Sequence, residues 1–389
     1  MGAVGINGDF LATCGMMGDV SDRRRVQIAG AAFGVLVAVG LVMPGAYIVE
    51  SAGPALDVSG EFNGVNLLSI KGTETYDSDT SFYMTTVSAA GTSDFGVTGA
   101  QALFSILSTE QQLIPVRAMY SKSESAADVD ERNAAQMSSS QDSGTVAGLE
   151  AAGYTVPMTL TVTGAAEDTS AADVFKAGDV VRTITVGSTT TDVTTFSDLS
   201  GVLGTIDPGT TVTIGVDRDG TEESLSVTTI AYEPDSTGWT HAGSQLGIYL
   251  ETSDIEFPVD VTYGIENIGG PSAGSMFALA IYDKLTDGSL GGDNKIAGTG
   301  TMSFSGEIGA IGGIQHKMRG AASQGAEYFL APAVNCGEVV GHEPSGMQVF
   351  AVRTLDESIS TVKAIAAGDT SQLTTCEMVM EDSGTSSAS

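Results

Sequence analysis

Two points in the second half of the chain place reactive side chains in unusual settings. Ser272 stands in Gly269-Gly270-Pro271-Ser272-Ala273-Gly274, ahead of an apolar run at helical spacing. Lys317 stands in Gly312-Gly313-Ile314-Gln315-His316-Lys317, again just after a double glycine. A serine hydroxyl is a weak nucleophile until a base takes its proton. A lysine amine can be that base only when neutral, which its reference pKa of about 10.4 opposes in water and burial favours. Ile308, Ala310, Ile311 and Ile314 upstream suit such burial, and Gly312-Gly313 lets the backbone approach closely. Alone, Lys317 reads as a solvated lysine on an amphipathic helix, and Ser272 as a turn residue capping one.

The surrounding pattern is mixed α/β. Pro271 suits the first position of a helix running to Leu285, which puts Ser272 beside unpaired N–H groups and the positive end of the helix dipole. Pro271 itself can donate nothing. Strands are expected over 255–261, 328–331 and 347–352, strand and turn over 299–308, and helices over 314–324 and 355–366. The polar tail 381–389 reads as disordered. Earlier, 65–70 and 81–87 read as strands, 97–107 as a helix, and 126–152 as a longer helix ended by Gly153. Residues 157–232 change texture, with many Thr and Val and an Asp219-Gly220 hairpin signal.

The chain has 389 residues, enough for two domains, and 42% of them are hydrophobic. With 48 acidic against 16 basic residues the formal charge is −32, which disfavours nucleic acid as a partner. Residues 26–49 carry no charge and follow Arg23-Arg24-Arg25, the pattern of a single membrane span with residues 1–25 cytoplasmic and the rest outside. A cleaved signal peptide would normally have a shorter apolar core. Three cysteines show no metal-binding spacing; outside the cytoplasm, Cys336 and Cys376 are placed to form a disulfide tying down the chain end, the alternative being two thiols.

The order Gly269-Gly270-Pro271-Ser272-Ala273-Gly274, then Thr299-Gly300-Thr301-Met302-Ser303-Phe304-Ser305-Gly306-Glu307-Ile308-Gly309-Ala310-Ile311-Gly312-Gly313-Ile314, then Lys317 resembles the proteolytic domain of the Lon protease family. That resemblance implies a serine endopeptidase with Ser272 as nucleophile, Lys317 as general base, and Thr299, Gly270 and Gly274 in support. Many family members carry an aspartate where this chain has Gly270. Phe175-Lys176-Ala177-Gly178-Asp179-Val180-Val181, the Pro208-Gly209-Thr210-Thr211-Val212 strand and the Arg218-Asp219-Gly220 turn resemble a bacterial protease-associated PDZ domain. Its carboxylate-binding loop falls on Tyr154-Thr155-Val156-Pro157-Met158, which lacks the usual glycine.

The architecture so implied has a transmembrane helix at 26–49 and an extracytoplasmic segment at 50–153 that supplies the first part of the proteolytic domain. A PDZ-like domain at 154–235, a Lon-type domain at 236–370 and a tail at 371–389 complete it. No G-x-x-x-x-G-K-[ST] phosphate loop occurs, so the resemblance is to membrane-anchored, ATP-independent, Lon-like proteases, the actinobacterial form in particular. It implies a peptide or protein substrate, no cofactor or metal, and a ring homo-oligomer by analogy.

Two other readings stand beside it. Gly270-Pro271-Ser272-Ala273-Gly274 also satisfies the G-x-S-x-G elbow of α/β-hydrolases, which would require a histidine: His342 by order, with His316 and His241 as the others. The second is a non-catalytic anchored scaffold that binds peptides. Asp142-Ser143-Gly144 and Asp382-Ser383-Gly384 read as turns.

Overall fold

The computed structural model describes residues 12–265 and 268–386, in two compact units. Of the described residues, the first comprises 12–51 together with 89–126, and the second comprises 52–88 together with those from 127 onward.

In the first unit a helix runs over Ala12–Val42. It stops seven residues short of the expected apolar limit at Val49, because Ile48 and Val49 are buried in a strand that starts at Tyr47. Tyr47–Ser51 pairs antiparallel with Gln111–Pro115. A second helix spans Gly99–Leu107, opened by a capping box in which the Thr98 hydroxyl accepts from the Gln101 amide. The helical spacing read from residue 97 thus becomes a helix once Thr98 has turned the chain.

The second unit is built on a sheet with strands in the order Gln348–Val352, Tyr328–Pro332, Lys295–Gly298, 81–88 and 52–57. Lys295–Gly298 pairs parallel with both neighbours, Ser81–Met84 on one side and Tyr328–Leu330 on the other. These central strands are nearly all apolar, as burial on both faces requires. The helices Gly274–Leu285, Ile314–Ser323 and Leu355–Ala366 complete this part of the unit.

The long helix Ala126–Ala151 packs on Gly274–Leu285 through two glycines one turn apart. A Cβ on Gly144 would sit 2.8 Å from the Gly274 carbonyl oxygen, and one on Gly148 2.8 Å from that of Ala278. Only glycine allows that approach. Asp142-Ser143-Gly144 therefore lies inside a helix, as does Asp382-Ser383-Gly384 inside Cys376–Ser386, and neither is a turn. The same closing helix takes in 381–386 of the tail expected to be disordered, and 387–389 lie outside the described residues.

A second sheet joins Thr221–Thr228, Thr211–Arg218, Val180–Val186, Thr159–Ala165 and Ile248–Ser253 in that order, with Thr189–Asp192 paired to Val180–Val186. The hairpin turn is at Asp219-Gly220, both at positive φ. Helix Phe196–Leu203 is capped by Thr195 and Asp198 in a reciprocal box. Buried Asp179 receives both Arg218 Nε and Nη2 at 2.6 Å, a bidentate pair that holds its carboxyl below the usual carboxylate range. The strand Ile248–Ser253 was not anticipated. Conversely, 255–259, expected in a strand, is not extended into one; Asp260–Tyr263 pairs with Leu68–Lys71 instead.

Candidate active site

Three chain segments converge on Ser272, and each is held by its own contacts. The turn 269–273 is anchored from the long helix: Gly270 N–H donates to the Asn133 carbonyl at 3.0 Å, and Ser140 Oγ donates to the Pro271 carbonyl at 3.0 Å. Gly270 has φ +91°, a conformation that glycine adopts without the strain a side chain brings, and Gly269 packs so closely on Asn133 that a Cβ would lie 2.6 Å from its Cβ. Helix formation begins two residues after the serine, at Gly274. Ser272 therefore sits in the turn just ahead of the helix. A Cβ on Gly274 would lie 2.8 Å from Met302 Cβ, so the glycine lets the helix start against the strand Thr301–Met302.

The second segment carries Thr299 at the end of the central strand. Its N–H donates to Leu330 O at 3.3 Å, and the next amide, Gly300 N–H, donates to the Ser272 carbonyl at 2.9 Å. The Thr299 hydroxyl donates to that same carbonyl at 3.0 Å. Thr299 is 1% exposed, so its geometry is fixed by packing as well as by these bonds.

The third segment is helix Ile314–Ser323, which starts at Gly313 in the left-handed region at φ 69°. Lys317 is 3% exposed, one turn beyond Ile314 and next to Met318, both fully buried. Its Nζ donates to Ser272 Oγ at 2.7 Å and to Thr299 Oγ1 at 3.0 Å. Because the Thr299 proton points to the Ser272 carbonyl, the threonine can only accept from the lysine. In the ammonium form the lysine also donates to the serine. In the neutral form one N–H remains committed to Thr299, and the nitrogen lone pair can face Ser272 Oγ and take its proton.

All three residues singled out from the sequence, together with Gly270 and Gly274, thus lie in one constellation. The histidines do not join it. His241 pairs with Glu307 at 2.6 Å and lies against Tyr232 and Trp239, and His342 is exposed. His316 is buried, and desolvation followed by the nearby Arg319 charge holds its imidazole below the ordinary value, favouring the neutral ring. Among the described residues, no group of three or more His, Cys, Asp or Glu is arranged to hold a metal.

Several supporting residues escaped the sequence reading. Asn133 and Ser140 have no motif of their own, although Gly144 and Gly148 within a helical pattern signal a close helix approach. Asn335 is 3% exposed and brackets Ile311, accepting from its N–H at 3.0 Å and donating to its carbonyl at 2.9 Å, which fixes the loop before the lysine helix. Cys336, the next residue, is joined to Cys376 by a disulfide.

Residues 242–363 match the family model of the Lon protease (S16) C-terminal proteolytic domain. An archaeal Lon protease from Methanocaldococcus jannaschii is 31% identical over 113 residues, covering 29% of this chain and 17% of the relative. Lon protease 2 of Bacillus subtilis is 29% identical over 113 residues, again 29% of this chain and 20% of the relative. The chain thus spans about a fifth or less of the length of these relatives. Among solved structures, the PDZ domain of an SdrC-like protein from Listeria innocua is 23% identical, with a TM-score of 0.20, covering 24% of this chain and 92% of that one. Ser272, Thr299 and Lys317 all fall within the matched segment, and the chain carries a Lon protease C-terminal proteolytic domain over residues 242–363.

Proposed function

We propose that the chain is a membrane-anchored serine endopeptidase that works without ATP, with Ser272 as nucleophile and Lys317 as general base. The observation that carries this reading is the 2.7 Å contact between Lys317 Nζ and Ser272 Oγ in a site where both Lys317 and Thr299 are buried. Burial disfavours the ammonium and so favours the form of lysine that can accept a proton. Ser272 Oγ attacks the scissile carbonyl carbon while its proton passes to Lys317 Nζ. The negative charge on the carbonyl oxygen is met by the positive end of the helix that opens at Gly274. Lys317 then returns the proton to the departing amine. Water, deprotonated by the same lysine, releases the acyl group and restores the serine.

The PDZ-like segment 154–235 interrupts the protease in this reading: the strand Ser81–Ala90 and the helix Ala126–Ala151 precede it yet pack with the segment that follows. A gating role is supported by one aromatic contact, Phe196 against Phe304 with ring centroids 6.2 Å apart. Phe304 lies in the turn that follows Thr301–Met302, and Met302 abuts Gly274 next to the nucleophile. Extended peptide substrates would be presented from that side. The helix Ala12–Val42 would hold the enzyme in the membrane, since Arg23–Val42 is the one stretch among the described residues long and apolar enough to span, and Arg23-Arg24-Arg25 at its start favours a catalytic part outside the cytoplasm.

The test is peptide-bond cleavage by the purified chain without nucleotide, beside Ser272→Ala and Lys317→Ala. Loss of turnover in both folded variants is expected. Turnover that survives in Lys317→Ala overturns the lysine base, and loss in His342→Ala would favour a histidine-dependent hydrolase.

A further inference from the structure

The helix Gly99–Leu107 is built inside out for a protein in water. Its stripe at helical spacing, Ala100, Leu103, Phe104 and Leu107, faces outward, with Leu103 52% exposed, Phe104 66% and Leu107 77%. Ile106 and Phe95 are exposed as well, at 67% and 69%. On the opposite side Ser105 is buried, so the polar side chain is inside and the apolar ones are outside. Residues 95–109 carry no charge at all, within a chain of net charge −32. Such a patch on a soluble surface marks an interaction site.

Its position says which. The helix begins where the apolar helix Ala12–Val42 ends: Gly99 N–H donates to Met43 O at 3.2 Å, and Thr98 bridges Pro44. Gly99 fits so tightly on Gly40 that a Cβ would lie 2.1 Å from the Gly40 carbonyl oxygen. The uncharged helical stretch, Val26 to Val42, is about 25 Å long at 1.5 Å per residue. A bilayer's hydrocarbon core is about 30 Å thick. The spanning helix therefore runs out of apolar length just where the second helix presents its own.

We propose that Gly99–Leu107 lies in the headgroup–acyl boundary of the leaflet from which the span emerges, forming an apolar collar that completes a short span. The occupant of the exposed stripe is lipid, and the contact is apolar, because neither the stripe nor the chain's net charge attracts anionic headgroups. This inference rests on the reading of Ala12–Val42 as a membrane span.

The test uses the full chain in phosphatidylcholine vesicles containing lipids brominated either near the headgroup end or near the methyl end of the acyl chain. Phe104→Trp and Leu107→Trp probe the collar on two successive turns, and Leu36→Trp probes the span; the parent's Trp239 gives the baseline. The collar predicts quenching of both collar tryptophans mainly by the headgroup-end bromines, while the Leu36→Trp signal is quenched mainly by methyl-end bromines. If Leu36→Trp is quenched and the collar positions are not, the collar is wrong while the span stands. Collar quenching strongest at the methyl end would mean deep insertion and also overturn it. If Leu36→Trp is not quenched, the span fails and the collar with it.

Discussion

Thr299→Val replaces a buried hydroxyl by a methyl of nearly the same volume, so its effect reads the hydrogen bonds and not the packing. The hydroxyl joins two groups: it donates to the Ser272 carbonyl at 3.0 Å and accepts from Lys317 Nζ at 3.0 Å. The Ser272 carbonyl keeps a second donor, Gly300 N–H at 2.9 Å, so the serine backbone loses only part of its anchorage. The lysine loses the acceptor that turns its lone pair toward the serine. A buried group left without its partner costs about 1–3 kcal/mol. At about 1.4 kcal/mol per factor of ten, kcat/KM should fall roughly 5- to 150-fold if that cost falls on the transition state. Thr299→Ser retains the hydroxyl and should recover most of the loss. The assay is steady-state cleavage of a fluorogenic peptide, with thermal unfolding followed in parallel. A Val variant at parental kcat/KM, or a Ser variant as slow as the Val variant at equal stability, would refute the bridging role.

Two further outcomes concern stability. Arg218 holds the Asp179 carboxyl below its unfolded value, so the pair contributes fully above about pH 3.9 and its contribution is lost as pH falls through the lower folded value. Comparing thermal unfolding of the parent and Asp179→Asn from pH 7 downward should therefore give a gap that is constant at neutral pH and closes only in strong acid; a gap that opens as pH falls contradicts the assignment. Removing the Cys336–Cys376 bridge, which closes a separation of 40 residues, should cost up to about 4 kcal/mol, read from denaturant midpoints of Cys376→Ser against the parent, and an unchanged midpoint would dismiss it as a stabilising link.

Much of the site was legible because its chemistry is local in sequence. Glycines at 269, 270, 274 and 313 mark where backbones must touch or turn, and the helix Leu355–Ala366 has the bounds that its periodicity predicts. What remained hidden was long-range. Nothing in Asn133 or Ser140 announces that they hold a turn more than a hundred residues away. The apolar run 26–49 concealed a change from helix to strand, because Ile48 and Val49 are equally at home in a bilayer and in a sheet. The polar end of the chain also misled: Cys376–Ser386 is helical, and the disulfide at its first residue ties it down.

The strand Ile248–Ser253 carries a consequence for peptide recognition. It pairs along Thr159–Ala165 from Ala165 to Thr159, on the edge opposite Val180–Val186, and ends beside the loop 154–158. A peptide seeking that edge in trans meets a competitor already tethered there, and a tether typically gives an effective concentration on the order of millimolar. Micromolar ligands would have to win by side-chain pockets and not by backbone pairing. Between this strand and Ser272 lies Asp260–Tyr263, paired with Leu68–Lys71, so a ligand that displaced the edge strand would leave that second pairing as the next anchor before the nucleophile.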